Sequence, residues 1–379
     1  MNRTFLILLV SGMLFTGTIN TLLNKLQDLT CVDHCDGPNK RYFEQPLFQT
    51  INMFVGEIMC LFVFLIMDWN EKRQGDSTYH PIPEGSPSNE LPEHIESSAD
   101  IPAASPKPLT GVAQLLFLLP TLCDLTGTTL MNIGLIFTSA SIYQMLRGSV
   151  VLFTGLFSTI FLGRKHPLYR WFALCVVFLG VAIVGLSPLV SGAEKPVEHA
   201  TPTSPIGIFL VVLAQCFTAS QFVIEEKIMV RYQVAPLKAV GLEGLFGLTL
   251  SLIAVPILHF TLGVRGEPGN VFNFDEMVRQ ISHPQVLYAG IGIMFSISIF
   301  NYCGLAVTKN ISATSRSTID TCRTLFIWMA SLALHWETFK WLQVVGFVVL
   351  IYGTFIFNDV IQPPSFVQSS LRLEDDHTD

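Results

Sequence analysis

The chain has 379 residues, of which 50% are hydrophobic and only 13% charged, with a formal net charge of −7. A soluble domain carries about a quarter charged residues, so this composition belongs to the membrane class. No basic run exceeds Lys72-Arg73 or Arg164-Lys165-His166, which leaves nucleic acid without an electrostatic footprint and excludes it as a partner.

The first element, MNRTFLILLVSGMLFTGTINT, places Arg3 before an apolar core, as a signal peptide does. It lacks a small-x-small cleavage site and stays apolar for about 20 residues, enough to span a bilayer. It is read as an uncleaved first transmembrane helix, 4–24. Spans of similar length follow at 47–68, 111–136, 140–162 and 169–190, then at 206–226, 237–261, 285–307, 312–334 and 339–359. The expected fold is an all-α polytopic membrane protein of ten helices. Residues 1–190 and 206–360 each carry five helices, joined by a polar linker, 191–205. The loop 69–109 is rich in Pro, Ser and acid and cannot bury a core, so it is expected to be disordered and cytosolic. The tail, 361–379, ends in LEDDHTD.

Six of the eight cysteines lie in apolar runs, where a thiol behaves as a small hydrophobe. Cys31 and Cys35, in CVDHC, lie in a polar loop. A local disulfide or two free thiols fits them better than a metal site, which would need more ligands at a fitting spacing. Lysines and arginines set orientation. Arg3, Lys72, Arg73, Lys107, Arg164, Lys165, Lys227, Arg231, Lys238 and Lys309 share the side of the termini. Lys25, Lys40, Arg41, Lys195, Arg265, Arg279 and Lys340 lie opposite. The bias puts both termini in the cytosol.

The chain repeats itself. A shift of 173 positions lays residues 139–180 on 312–353 without a gap: Ser139-Ala140 on Ser312-Ala313, Leu152-Phe153 on Leu325-Phe326, Ser158 on Ser331, Gly180 on Gly353. This maps helices four and five onto nine and ten. Halves with an odd number of helices insert in opposite senses, and inverted repeats around a midplane site mark secondary transporters.

A charge at mid-bilayer costs about 2.5–3.5 kcal/mol on insertion scales, yet several are present. In LPTLCDLTGTTLMNIG, Asp124, Thr128 and Asn132 form one polar stripe at four-residue steps, read as cavity-facing against a purely structural role. In SASIYQMLRGSVVLF, Gln144 and Arg147 share a face, and Arg147 lies deep enough to need a partner. In SATSRSTIDTCRTLF, Asp320 is spaced to pair with Arg316 or Arg323. The repeat places Asp320 in the column of Arg147, so the two are expected to meet, and a structural salt bridge is the plain alternative. Thr16, Asn20 and Asn24 in the first helix, Glu57 in the second and Asn301 in the eighth are weaker candidates, since single amides often bond only to a neighbouring helix. Where the sixth helix ends, in FTASQFVIEEKIMVRY, Gln221 and Glu225 share a face with Thr218 and are expected to line a cytosolic vestibule. Glu226 is expected in solvent. The interior glycines permit close helix packing. No P-loop, HExxH or GxSxG is present, so an enzyme is not expected and no cofactor is implied. The Asn2 and Asn310 sequons fall on the cytosolic side and should be silent.

The blocks CDLTGTTLMNIGL, TSASIYQMLRGSVVLFTGLFS, IEEKIMVRYQVAPLKAVGLEGLFG and SATSRSTIDTCRTLFIW resemble the F subfamily of solute carrier family 35. The resemblance covers nearly the whole chain except 69–109 and the tail. It implies the drug/metabolite transporter superfamily: ten helices in two inverted repeats, alternating access and no ATP site. It also suggests the lysosomal membrane, with mitochondrial or Golgi and endoplasmic-reticulum membranes as alternatives. Tyr79-His80-Pro81-Ile82 fits a Tyr-x-x-apolar sorting signal, a pattern that also arises by chance. The function expected is secondary transport of a small polar or anionic solute across the lipid bilayer. Asn20, Asn24, Asp124, Thr128, Gln144, Arg147, Gln221, Glu225, Asn301, Asp320 and Arg323 are its binding candidates, and Asp124 or Glu225 is the proton exchanger if transport is proton-coupled. A nucleotide-sugar antiporter using Arg147, Arg323 and Tyr143 is the first alternative. A non-transporting membrane protein that binds a protein partner through loop 69–109, acting on mitochondrial potential or cell survival, is the second.

Overall fold

With no water in a bilayer core, each apolar segment must pair its own N–H and C=O groups, which an α-helix does. A computed structural model describes residues 3–35, 40–43, 45–74, 107–138, 140–190, 204–263, 274–334, 336, 340–362 and 364. The helices before the linker are α1 (Arg3–Asp28), α2 (Pro46–Gln74), α3 (Leu118–Ile136, entered through a 3₁₀ turn at Gly111–Phe117), α4 (Ala140–Arg147), α5 (Val150–Leu162) and α6 (Leu168–Val190). After it come α7 (Pro205–Arg231), α8 (Pro236–Leu258), α9 (Phe274–Ile281), α10 (Pro284–Asn310), α11 (Ala313–Ala333) and α12 (Trp341–Phe357).

Eight segments are long and apolar enough to cross a membrane: 3–28, 47–73, 111–135, 142–162, 168–187, 205–231, 236–261 and 284–310. The other two expected spans are α11, long but loaded with Arg316, Asp320 and Arg323, and α12, apolar but of 17 residues. The chain alternates direction through these ten. α1 starts and α12 ends at one face, called here the terminal face. α1, α6 and α11 end at the opposite, far face.

Start signals are local. Ser204 Oγ accepts from the N–H of Ile206 ahead of Pro205, and Ser312 Oγ accepts from the N–H of Ser315 at 3.1 Å, each satisfying an orphan donor of the first turn. Gly163 closes α5 in the left-handed region, at φ 68°, where a side chain is disfavoured.

Packing repeats between the halves. α6 pairs with α12 and α2 with α8, each helix against its own counterpart; α3 pairs with α7 as α10 pairs with α1, and α5 meets α7 as α11 meets α1. Close approach carries the α6–α12 pair. A Cβ on Gly180 would sit 2.6 Å from the Leu350 nitrogen, and one on Gly353 2.8 Å from the Val177 nitrogen, so small residues bring the two backbones together.

Four features depart from expectation. The fourth span is two helices: after Arg147 the chain tightens through Gly148 and Ser149, whose N–H groups bond three residues back to Met145 and Leu146 at 3.1 and 3.0 Å. Such 3₁₀ turns inside a helix mark a break in the ladder. A short amphipathic helix, α9, precedes α10. α2 runs on to Gln74, with Lys72 paired to Asp68 at 2.7 Å, so residues 69–74 belong to a helix. Lys107–Pro108 forms a short strand, parallel to Tyr232–Gln233. Residues 75–106 and the sorting tetrapeptide at 79–82 lie outside the described residues. Cys31 and Cys35, expected as a local disulfide or two free thiols, are joined as a disulfide, in a two-stranded hairpin that pairs Cys31 with Tyr42 and Asp33 with Arg41.

Candidate functional site

The polar stripes converge on one cavity of about 690 Å³. α3 lines it with Asp124, Thr128, Met131, Asn132 and Leu135, at three- and four-residue steps, while Leu119, Leu122 and Ile133 on its other faces stay exposed. α1 supplies Asn20, Thr21 and Asn24, α4 supplies Tyr143, Gln144 and Arg147, and α7 supplies Thr218, Gln221 and Phe222. α10 adds Phe300 and Asn301, and α11 adds Arg316, Asp320 and Arg323. The lining runs out to Lys25, Asp28, Leu29, Trp336 and Lys340, which stand at helix ends on the far face. The cavity thus reaches from mid-membrane to that side.

Ten of the eleven expected binding residues line this cavity: Asn20, Asn24, Asp124, Thr128, Gln144, Arg147, Gln221, Asn301, Asp320 and Arg323. Glu225 does not. It is fully buried and ion-paired with Arg316, so it lines no vestibule among the described residues. Glu226 is buried as well, against the expectation of solvent. It pairs with Arg164 and accepts from the N–H of Ala313 at 2.7 Å. A buried carboxylate needs such partners, and the first turn of α11 provides a free donor and a favourable dipole.

The three arginines differ. Arg316 pairs with Glu225 and stacks over the Phe222 ring, 4.0 Å from its centroid. Arg323 pairs with Asp320 at 2.6 Å, donates to the carbonyl of Gly17 at 3.1 Å and lies over Phe300. Arg147 has no ion-pair partner among the described residues; its guanidinium stands 6.0 Å from the Tyr143 ring centroid. The expected meeting of Arg147 with Asp320 does not occur, because Asp320 is satisfied within its own helix. Arg316, expected as a partner for Asp320, is taken by α7.

The amides are partly structural. Asn24 donates to the carbonyl of Asn20 at 2.8 Å, and Asn20 Oδ1 accepts from Ser296 at 3.1 Å. Asn301 donates to Glu57 at 2.6 Å. Thr128 donates to Asp124 at 3.4 Å. Gln144 Oε1 is buried without a donor among the described residues.

Glu243, in the α8 run GLEGLFG, was not anticipated. It is 5% exposed and close to Glu57, since a Cβ on the adjacent Gly244 would meet the Glu57 Cβ at 2.6 Å. A lone carboxylate in an apolar window was the available signal. Lys25, Trp336 and Lys340 were missed because helix ends read as interface anchors. No group of three or more His, Cys, Asp or Glu is arranged to hold a metal among the described residues.

The family model for nucleotide-sugar transporters matches residues 112–358. Solute carrier family 35 member F6 of Homo sapiens is 38% identical over 355 residues, 93% of this chain and 88% of that protein. The chain belongs to the F subfamily of solute carrier family 35. UDP-galactose translocator 1 of Caenorhabditis elegans is 36% identical over a shorter stretch, 87 residues, or 23% of this chain and 24% of that protein. A solved crystal structure is similar with a TM-score of 0.50 at 10% identity, covering 93% of this chain and 99% of that one; this likeness bears on fold alone. The family 35 member described here is therefore a polytopic membrane transporter, of the type the nucleotide-sugar carriers represent.

Proposed function

We propose that this family 35 member is a secondary-active transporter of a small polar or anionic solute, which binds between the two halves and crosses by alternating access. The observation that carries this reading is Arg147. It faces the cavity without a carboxylate among the described residues, while Arg316 and Arg323 on α11 are both paired. A guanidinium kept free in a confined, mostly apolar space is a receptor for a carboxylate or phosphate. Gln144, Asn24 and Asn301 offer neutral hydrogen bonds around it, and Tyr143 a ring face.

The test is uptake into proteoliposomes from a mixed metabolite extract, read by mass spectrometry. A solute enriched by the wild type and not by Arg147→Ala supports the reading; folded protein that enriches nothing overturns it. A second reading, nucleotide-sugar antiport, is favoured by the family match and by the worm UDP-galactose carrier. Trans-stimulation by a nucleoside monophosphate would select it. The lysosomal membrane is the compartment proposed, and mitochondrial or Golgi and endoplasmic-reticulum membranes remain the alternatives that fractionation would reveal. No described residue favours a protein partner on loop 69–109.

A further inference from the structure

Behind the cavity wall, on the side of the terminal face, lies a second polar cluster. Glu57 from α2, Glu225 from α7 and Glu243 from α8 are 2%, 0% and 5% exposed. Their neighbours are Asn301 from α10, which donates to Glu57, and Arg316 from α11, which pairs with Glu225. Asp124 from α3 faces the same group from the cavity side. Four carboxylates thus face one guanidinium.

That count cannot stand with every carboxylate ionised. Removing an unpaired carboxylate from water costs several kcal/mol even after relaxation, and such a group keeps a proton instead. The orphaned atoms mark where protons go. Glu57 Oε2, Glu225 Oε1 and Glu243 Oε1 are all buried without a donor among the described residues.

We propose that Glu57, Glu225 and Glu243 form a proton-binding site separate from the solute cavity, and that Arg316 links the two. Arg316 belongs to both places: it lines the cavity and holds Glu225. An anion bound in the cavity competes for its guanidinium. Glu225, losing its counter-charge, then takes up a proton. Anion and proton therefore bind together, which is the thermodynamic signature of symport. This coupling rests on the transport reading above; the proton site itself does not.

Two measurements keep these apart. The first needs no solute: infrared spectroscopy of the purified full chain, following the C=O stretch of protonated carboxyl groups. Wild-type protein should show this band at neutral pH with a deuterium shift, and Glu243→Gln and Glu57→Gln should each diminish it. Each variant is compared with the wild type at equal monodispersity and melting behaviour. Absence of the band at neutral pH, or a band that neither variant changes, overturns the site. The second is accumulation of the solute found by the uptake screen under an imposed acid gradient. One proton per cycle supports about tenfold accumulation per pH unit, and Glu225→Gln should reduce it to onefold. Wild-type accumulation indifferent to the gradient overturns the coupling. A band without any transported solute overturns the transport reading and leaves the proton site standing.

Discussion

Glu226 and Arg164 are ion-paired across the terminal face, where the turn between α5 and α6 meets α7. The same carboxylate takes the Ala313 N–H at the start of α11. One side chain therefore ties three elements from both halves. Its neighbour Glu225 adds a second tie through Arg316. The cavity ends beneath these contacts and continues toward the far face.

Arg164→Ala should loosen this closure. Losing a hydrogen bond to a charged group costs about 1.5–3 kcal/mol. The melting temperature should fall, and a cysteine placed by Thr218→Cys should label faster with a membrane-impermeant reagent added at the terminal face. Unchanged labelling would mean that the Arg164 contact does not gate access.

Asp320 and Arg323 separate a structural from a functional role. Asp320→Asn leaves Arg323, 2% exposed, without its counter-charge, and breaking a buried pair costs about 3–5 kcal/mol. Adding Arg323→Met should recover most of that stability in detergent melts, since neutral replacements of both partners are tolerated. Recovery of stability together with uptake would make the pair purely structural. Recovery of stability alone would keep it in the solute site.

On the far face, α9 is held to the hairpin by charge. Arg279 bonds Glu276 at 2.7 Å and Asp33 at 3.1 Å, and Arg41 stands 3.9 Å from Glu276. The hydrogen bond from Arg279 holds the Glu276 carboxyl below its ordinary range, with Gln280 and Arg41 adding to it. A depressed folded value means the contribution is complete above the unfolded pKa, about 4.3, and is lost as pH falls through the lower folded value. The protection of α9 amides, corrected for their intrinsic exchange rates, should thus be flat from pH 7 to about 5 and fall only in stronger acid. In Glu276→Gln that acid-induced loss should be smaller, leaving the part carried by Asp33 and Arg279.

Gly247 tests the α2–α8 contact. A Cβ there would meet the Phe54 ring at 2.2 Å. Overpacking of this kind costs about 1–3 kcal/mol, so Gly247→Val should lower the melting temperature. The same change at Gly185, whose Cβ would find its nearest atom at 3.6 Å, should cost less.

The ten spans were legible because hydropathy over about 20 residues is a one-dimensional signal. The polar lining was legible for the same reason: Asp124, Arg147 and Arg323 stand out in apolar runs. Their partners were not. Whether Glu225 meets Arg316 or solvent depends on how α7 crosses α11, a long-range relation that spacing along one helix does not contain. Asp320 could be given two arginines by periodicity alone, and only packing chose Arg323. The break after Arg147 was hidden because Gly148 and Ser149 are both common in unbroken membrane helices. Helix α9 escaped because its eight residues are too few to register against a membrane span.

The Cys31–Cys35 bridge has a consequence for sidedness. A disulfide on a solvent-facing hairpin persists in oxidising compartments and is reduced by cytosolic thiols. It therefore serves as a redox label: the far face, with the cavity mouth beside it, should look onto a lumen or the cell exterior, and the terminal face onto the cytosol. The lysine and arginine bias arrives at the same topology by an unrelated physical route, insertion electrostatics rather than thiol chemistry. On that topology the cavity described here opens on the non-cytosolic side.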